Sequence, residues 1–449
     1  MAISETDDRH KMNMELDQIL ISSSQPDFSK QIKGLHRRLL REARFGGFDK
    51  ESEHNRQRVL DIVREVNENP DKAVAEFTKK YDGVELKPEQ FKVSGEDLKK
   101  AHNEIDEGLL KSVRLAIENV RRYQREIFIG NFKHPGIKYT PIRRVGICVP
   151  GASAPLPSTV IMTAVPAQVA RVEKIVVVSP PRYNGSIHPV TLAVCYELGI
   201  DEVYRIGGAQ AVAALACERG TVPQVDKIVG PGNKWVQTAK QIVFGGVDID
   251  SIAGPSEVLI IANDRANPAW VAADMLSQAE HAPGSGVVFT DSQELAEKIL
   301  DELKKQVKQL DRAKETIECL KEYSKIAVFT NMDDIVEKAN DFASEHLEIQ
   351  CGDESSEIAE KIDNAGAIFI GDYSPVAVGD YWAGPSHTLP TGTTARFFSA
   401  LSSNDFIKST SIIAYDKKML IESAEDIIRL AEVEGLDAHA RSIKIRQQD

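Results

Sequence analysis

The feature that most restricts this chain is a repeated alternation. From about residue 140 onward, short β-branched runs recur with helical stretches between them: RRVGICVPG, KIVVVSPP, DEVYRIGG, KIVGPGN, SEVLIIAN, SGVVFTD, KIAVFTN and AGAIFIGDY. Such runs suit strands buried on both faces. Alternation with helices calls for right-handed βαβ units and a mainly parallel sheet. The expected fold class is therefore α/β, doubly wound.

The strand ends carry the next signal. They close in PGASAPLPS, SPP, GGAQ, GPGN and AGPSE. In open parallel sheets, ligands bind beyond the carboxyl ends of the strands, where Gly and Pro permit tight turns and close backbone approach. Helices expected to start at Gln210 and Asn233 offer free N–H groups and a positive dipole end, suited to a pyrophosphate. Each loop taken alone also reads as a plain βα turn. There is no G-x-G-x-x-G and no Walker A; GPGNKW (230–235) fails at the third glycine, so a dinucleotide would be held in an atypical way. Residues 51–127 carry apolar side chains at helical spacing, and so does the tail after about 400. Residues 1–50 read as a lead-in with one basic helix, GLHRRLLREARF.

Composition sets limits on partners. A formal net charge of −13 argues against nucleic acid or an acidic membrane and favours a small cationic ligand. Five cysteines without C-x-x-C spacing (Cys148, Cys195, Cys217, Cys319, Cys351) read as reduced thiols of a cytoplasmic protein. The polar start MAISETDDRHKMN does not look like a signal peptide, and runs such as KIVVVS are too short to span a bilayer.

Candidate chemistry lies in a few segments. LSQAEH (276–281) ends a helix and places Gln278 and His281 three residues apart, hence on one face and able to point at one spot. Glu280 faces elsewhere, so this is not H-E-x-x-H, and such a pair alone also serves as a cap or core contact. GDYWAGPSHTLPTG (379–392) supplies Asp380 and His387, SEHLEI (344–349) supplies Glu345 and His346 at a helix-to-strand transition, and EGLDAH (434–439) supplies Glu434 and His439. Four of the ten histidines fall in these segments.

Taken in order, GPGNKWVQTAKQIVFGGVDIDSIAGPSEVLIIAN, LSQAEH, SEHLE, GDYWAGPSHTLPTG and LDAH resemble the histidinol dehydrogenase family over about residues 50–445. The resemblance implies two Rossmann-like doubly wound domains, incomplete and atypical, with small N- and C-terminal helical arms. An arm would cover 1–49, a discontinuous large α/β domain 50–145 and 258–400, an inserted NAD-binding domain 146–257, and a C-terminal arm 401–449. It implies one Zn2+ per subunit on Gln278, His281, Asp380 and His439, the last lent by the partner of a homodimer. N and O ligands without thiolate suit zinc, with manganese or cobalt also compatible. Glu345 and His346 would be the catalytic pair. Ser256, His387 and Glu434, with His346 and the metal ligands, would contact the substrate L-histidinol, and Cys148, Gln210 and Asn233 would contact NAD. The implied reaction is a two-step oxidation of the alcohol through an aldehyde to histidine, using two NAD+.

Three positions depart from the family pattern. Cys148 stands where a tyrosine often packs on the cofactor, Ala152 where a second glycine is common, and Val376 where a glutamate precedes the metal aspartate by four residues. The last is expected to remove a carboxylate near the substrate. That keeps open a related zinc dehydrogenase acting on another small alcohol, such as a sulfonated diol. Two further classes remain as rivals: a zinc hydrolase using the same ligands with metal-bound water, and a metal-stabilised scaffold without catalysis.

Overall fold

The computed structural model describes residues 16–43, 50–151, 155–280 and 283–448. Thirteen strands run through them. They are β1 (Leu20–Ser22), β2 (Ile137–Pro141), β3 (Arg144–Cys148), β4 (Lys174–Val178), β5 (Glu202–Tyr204), β6 (Lys227–Val229), β7 (Asp248–Ile249), β8 (Glu257–Ala262), β9 (Ser285–Thr290), β10 (Lys325–Val328), β11 (His346–Gln350), β12 (Ala367–Ile370) and β13 (Ile407–Ser411).

A larger sheet has the order β1-β10-β9-β8-β11-β12, and every neighbouring pair is parallel. A smaller sheet has the order β5-β4-β3-β6-β7, again all parallel. All six residues of β8 and all six of β9 are buried. That is why SEVLIIA and SGVVFT show no polar alternation: both faces are covered. Along β8, Val258 and Ile260 enter one apolar core while Leu259 and Ile261 enter another, as a two-residue period requires.

The packing of 50–128 differs from the division expected from sequence. Val59, Ile62 and Val66 pack with Val176, Val178 and Ile228 on one side of the smaller sheet. Leu98, Val113, Ile117 and Val120 pack with Val145, Ile147 and Val177 on the other. The helical segment thus covers the 144–249 sheet, whereas the resemblance groups it with 258–400. The lead-in also holds more order than a basic helix, since β1 forms the edge of the larger sheet beside β10.

By compactness the chain forms two units: one of residues 1–128 and 141–407, and one of 129–140 and 408–449. The second contains all but the end residues Pro141 and Ile407 of the two-stranded β13-β2 sheet, and helices Lys417–Val433 and Asp437–Lys444. Among the described residues no helix is long and apolar enough to cross a membrane.

Candidate active site

In the smaller sheet, the loops after β3, β4, β5 and β6 enclose two adjoining hollows. One, of about 240 Å³, is lined by Arg58, Tyr81, Asp82, Gln210, Asn233 and Trp235 among others. The second, of about 160 Å³, is lined by Cys148, Pro150, Pro180, Gly207, Pro231 and Val236 among others. Arg182, Gly208 and Asn233 border both. The strand-end cleft expected from the Gly/Pro loops is therefore present, at the carboxyl edge of the sheet.

Its residues differ in detail from expectation. The helix expected to start at Gln210 spans Gly208–Ala216, so Gln210 lies within its first turn, buried, with its amide Nε2 3.5 Å from Asp82 Oδ2. Asn233 is the N-cap of Lys234–Val243, and its Oδ1 already accepts from the Trp235 and Val236 N–H groups. Cys148 ends β3, and burial pushes its thiol up to about 12, so it faces the hollow as a neutral group. Ala152 lies outside the described residues.

Asp82, Arg182 and Trp235 carry no signal in the sequence reading. The Arg182 Nε donates to Asp82 Oδ1 at 2.9 Å, and the Arg58 guanidinium sits 4.8 Å over the Trp235 ring. Beneath the GPGN loop, fully buried Lys240 pairs with Asp250, and Asp250 Oδ2 accepts the Gly230 N–H at 2.7 Å. Gly230 has φ of +106°, and an added Cβ would lie 2.4 Å from the Cys148 carbonyl oxygen, so only glycine fits.

The second candidate site is in the larger sheet, at the opposite strand ends. β8 begins at Glu257 and β11 at His346, and the register pairs His346 with Val258. Glu257 and Glu345 therefore stand side by side, each one residue before this pair. They brace each other: the Glu257 N–H donates to Glu345 Oε2 at 2.9 Å, and the Glu345 N–H donates to Glu257 Oε1 at 3.2 Å. The Gly392 N–H donates to the same Glu257 oxygen at 3.0 Å. His346 Nδ1 lies 3.0 Å from the Glu257 carbonyl oxygen, which can only accept. Nδ1 therefore carries a proton, and in the neutral form of the ring the lone pair is on Nε2. Nε2 lies 3.9 Å from Asp380 Oδ1.

Local backbone delivers the pair there. The helix Met332–Phe342 ends at Ala343 in the left-handed region, φ +48°, which turns the chain into Ser344, Glu345 and His346. β12 comes close alongside. A Cβ on Gly366 would meet the Glu345 carbonyl oxygen at 2.5 Å.

Burial sets the charges. Desolvation raises the Glu345 carboxyl well above its ordinary value, with the Glu257 and Asp380 charges adding to it. It pushes Glu257 up to about 7 and Asp380 up to about 6. Half-buried His387 is pushed down to about 4, so its ring is neutral near pH 7.

Of the residues expected to hold a metal, Gln278 and Asp380 lie in the larger described unit. Gln278 is buried, and its Oε1 has no hydrogen-bond partner among the described residues. With the desolvated Asp380 carboxyl, this is the donor chemistry a divalent cation would satisfy. His281 lies outside the described residues. Among those described, no three His, Cys, Asp or Glu side chains are grouped to hold a metal. Glu434 and His439 belong to the second unit and are exposed there. Ser256 is half-buried just before Glu257, and its carbonyl accepts from the Ser285 N–H. Val376 is 2% exposed and packs into a core with Val258 and Met275.

An open parallel sheet with a strand-end cleft and a buried carboxyl–imidazole pair is the setting in which the comparisons place the chain, in a class of NAD-dependent oxidoreductases. Sequence comparison narrows it. The profile of the family described as histidinol dehydrogenase matches residues 48–447. The chain is 46% identical over 397 residues to histidinol dehydrogenase of Rhodopirellula baltica, covering 87% of this chain and 86% of that one. It is 44% identical over 427 residues to that of Bacillus subtilis, covering 93% and 98%. The crystal structure of histidinol dehydrogenase from Elizabethkingia anophelis superposes with a TM-score of 0.85 at 32% identity, over 96% of this chain and 98% of that one. The chain belongs to the histidinol dehydrogenase family.

Proposed function

We propose that the protein oxidises L-histidinol to L-histidine in two steps at one site. The observation that carries the assignment of roles is the His346 ring, whose Nδ1 is tied to the Glu257 carbonyl, which makes Nε2 the basic nitrogen of the neutral ring. Nε2 takes the alcohol proton while the carbinol hydrogen leaves, with its electron pair, to NAD+. The product is L-histidinaldehyde. Glu345 then takes a proton from water as the water oxygen bonds to the aldehyde carbon, and the aldehyde oxygen takes up the proton that His346 Nε2 gained in the first step. The resulting gem-diol gives a second hydride to a second NAD+. The sum is alcohol, water and two NAD+ to carboxylic acid, two NADH and two protons. Because Glu345 is held well above its usual range, the second step gains rate as pH rises and the carboxylate form is populated.

The nucleotide lies in the cleft bordered by Cys148, Gln210 and Asn233, with the pyrophosphate near the loops that start the 208–216 and 234–243 helices. One zinc ion per subunit would be held by Gln278, His281 and Asp380, with His439 supplied by a second copy of the chain in a homodimer. The chemistry such an ion would supply is Lewis acidity toward nitrogen and oxygen donors of the amino alcohol. Ser256, His387 and the partner copy's Glu434 orient the same molecule, and neutral His387 can accept or donate a hydrogen bond to it. A cytoplasmic setting agrees with five free, buried cysteines.

The deciding experiment adds L-histidinol and NAD+ to purified protein before and after treatment with a chelator. Two NADH per histidine formed, little free aldehyde, and loss of turnover on chelation that zinc restores are the expected results. Hydrolysis without NADH would favour the hydrolase rival. No turnover with any small alcohol would favour a scaffold.

A further inference from the structure

Glu257 is buried, carries no assigned role, and touches three parts of the site at once. Its carboxylate accepts the Glu345 N–H and, from the loop that carries His387, the Gly392 N–H. Its own N–H donates to the Glu345 carboxylate, and its carbonyl accepts from His346 Nδ1. The two kinds of contact differ in what a substitution can reach. His346 is held by the Glu257 backbone, which any side chain at 257 supplies. The backbone at Glu345 is held by the Glu257 side chain.

We infer that the Glu257 side chain is a positioning residue for the second oxidation, fixing Glu345 and the 386–392 loop without directing the first. The inference rests on the proposal that Glu345 activates water. Length matters more than charge in this arrangement. A glutamine keeps an oxygen where Glu257 Oε1 accepts two N–H groups. An aspartate keeps the charge but draws its oxygens back by one methylene. A catalytic group displaced by about 1 Å loses on the order of 100-fold in rate.

The test compares Glu257→Asp, Glu257→Gln and Glu345→Gln in the full-length holoenzyme. Two quantities are read: NADH formed per L-histidinol consumed, and aldehyde captured by semicarbazide. Glu257→Asp is expected to drive the yield from two NADH toward one and to raise captured aldehyde at least tenfold. The first hydride transfer should stay within threefold of wild type. Glu257→Gln is expected to stay near two NADH, and Glu345→Gln to fall close to one. A general loss of packing would slow both oxidations together and leave the yield at two, which overturns the inference. So does equal damage from Asp and Gln, because charge and not position would then be the cause. If Glu345→Gln itself keeps the yield at two, the water-activation reading fails and this inference with it. If Glu345→Gln leaks aldehyde and Glu257→Asp does not, only the inference about Glu257 fails.

Discussion

The two parallel sheets work from opposite ends. The smaller sheet opens its cleft at the carboxyl ends of β3–β6, where Gly and Pro loops shape the walls. The larger sheet gathers Glu257, Glu345 and His346 at the amino ends of β8 and β11. A cleft shaped by backbone can receive a ligand with few charged side chains, because turns and helix starts supply the donors. A site made of buried carboxyls and an imidazole cannot, because each unpaired group carries a large desolvation cost. It must be cross-bonded, as the reciprocal N–H to carboxylate contacts of Glu257 and Glu345 are. Damage to the first sheet's cleft should appear as weaker nucleotide binding, and damage to the second sheet's end as lost chemistry.

The largest expected effect is at the amino ends. His346→Asn removes the base and should slow the first oxidation by roughly 10² to 10⁴ fold, with NAD+ affinity unchanged. Pre-steady-state NADH formation and nucleotide titration read the two parts, and a rate within threefold of wild type would break the comparison. Next is Lys240→Met under the cleft of the smaller sheet. It strands Asp250 in the interior and should cost about 3–5 kcal/mol in urea unfolding, the usual penalty for breaking a buried pair. Gln210→Ala should be milder, raising the KM for NAD+ about three- to tenfold while kcat at saturation holds. A fall in kcat with KM unchanged would assign Gln210 to the chemistry instead.

The smallest effect concerns pH. Glu257 titrates near 4.5 when unfolded and about 7 when folded, so between these values the folded chain holds a proton the unfolded chain has lost. Its contribution to stability is present below about 4.5 and is lost as pH rises through about 7. Glu257→Gln should flatten part of that fall in thermal unfolding of metal-free protein, and an unchanged slope would place the titration elsewhere.

Much of this architecture is legible in the sequence. Runs such as SEVLIIAN and SGVVFTD, buried on both faces, announce their strands, and the Gly/Pro strand ends announce the cleft. Much of what is not legible depends on partners brought together by folding. Asp82 and Arg182 are 100 residues apart, and Glu257 and Glu345 are 88 apart. Glu257 opens β8 and Glu345 immediately precedes β11, and that the two stand side by side shows only once the register is known. β1 and β7 are three and two residues long, too short for any periodicity to mark them. Helix ends also mislead. Asn233 looks like a ligand donor because it begins a helix, and its side-chain oxygen is taken up by that helix.

β1 has a practical consequence. Leu20–Ser22 pairs with Ile326–Val328 along the outer side of β10, yet the family match begins only at residue 48. An expression clone trimmed to the matched span would leave β10 with a bare row of amide and carbonyl groups. Such an open margin recruits strands from other molecules. Poor yield and self-association of the shortened product would then report a missing border strand, with the chemistry of the enzyme untouched.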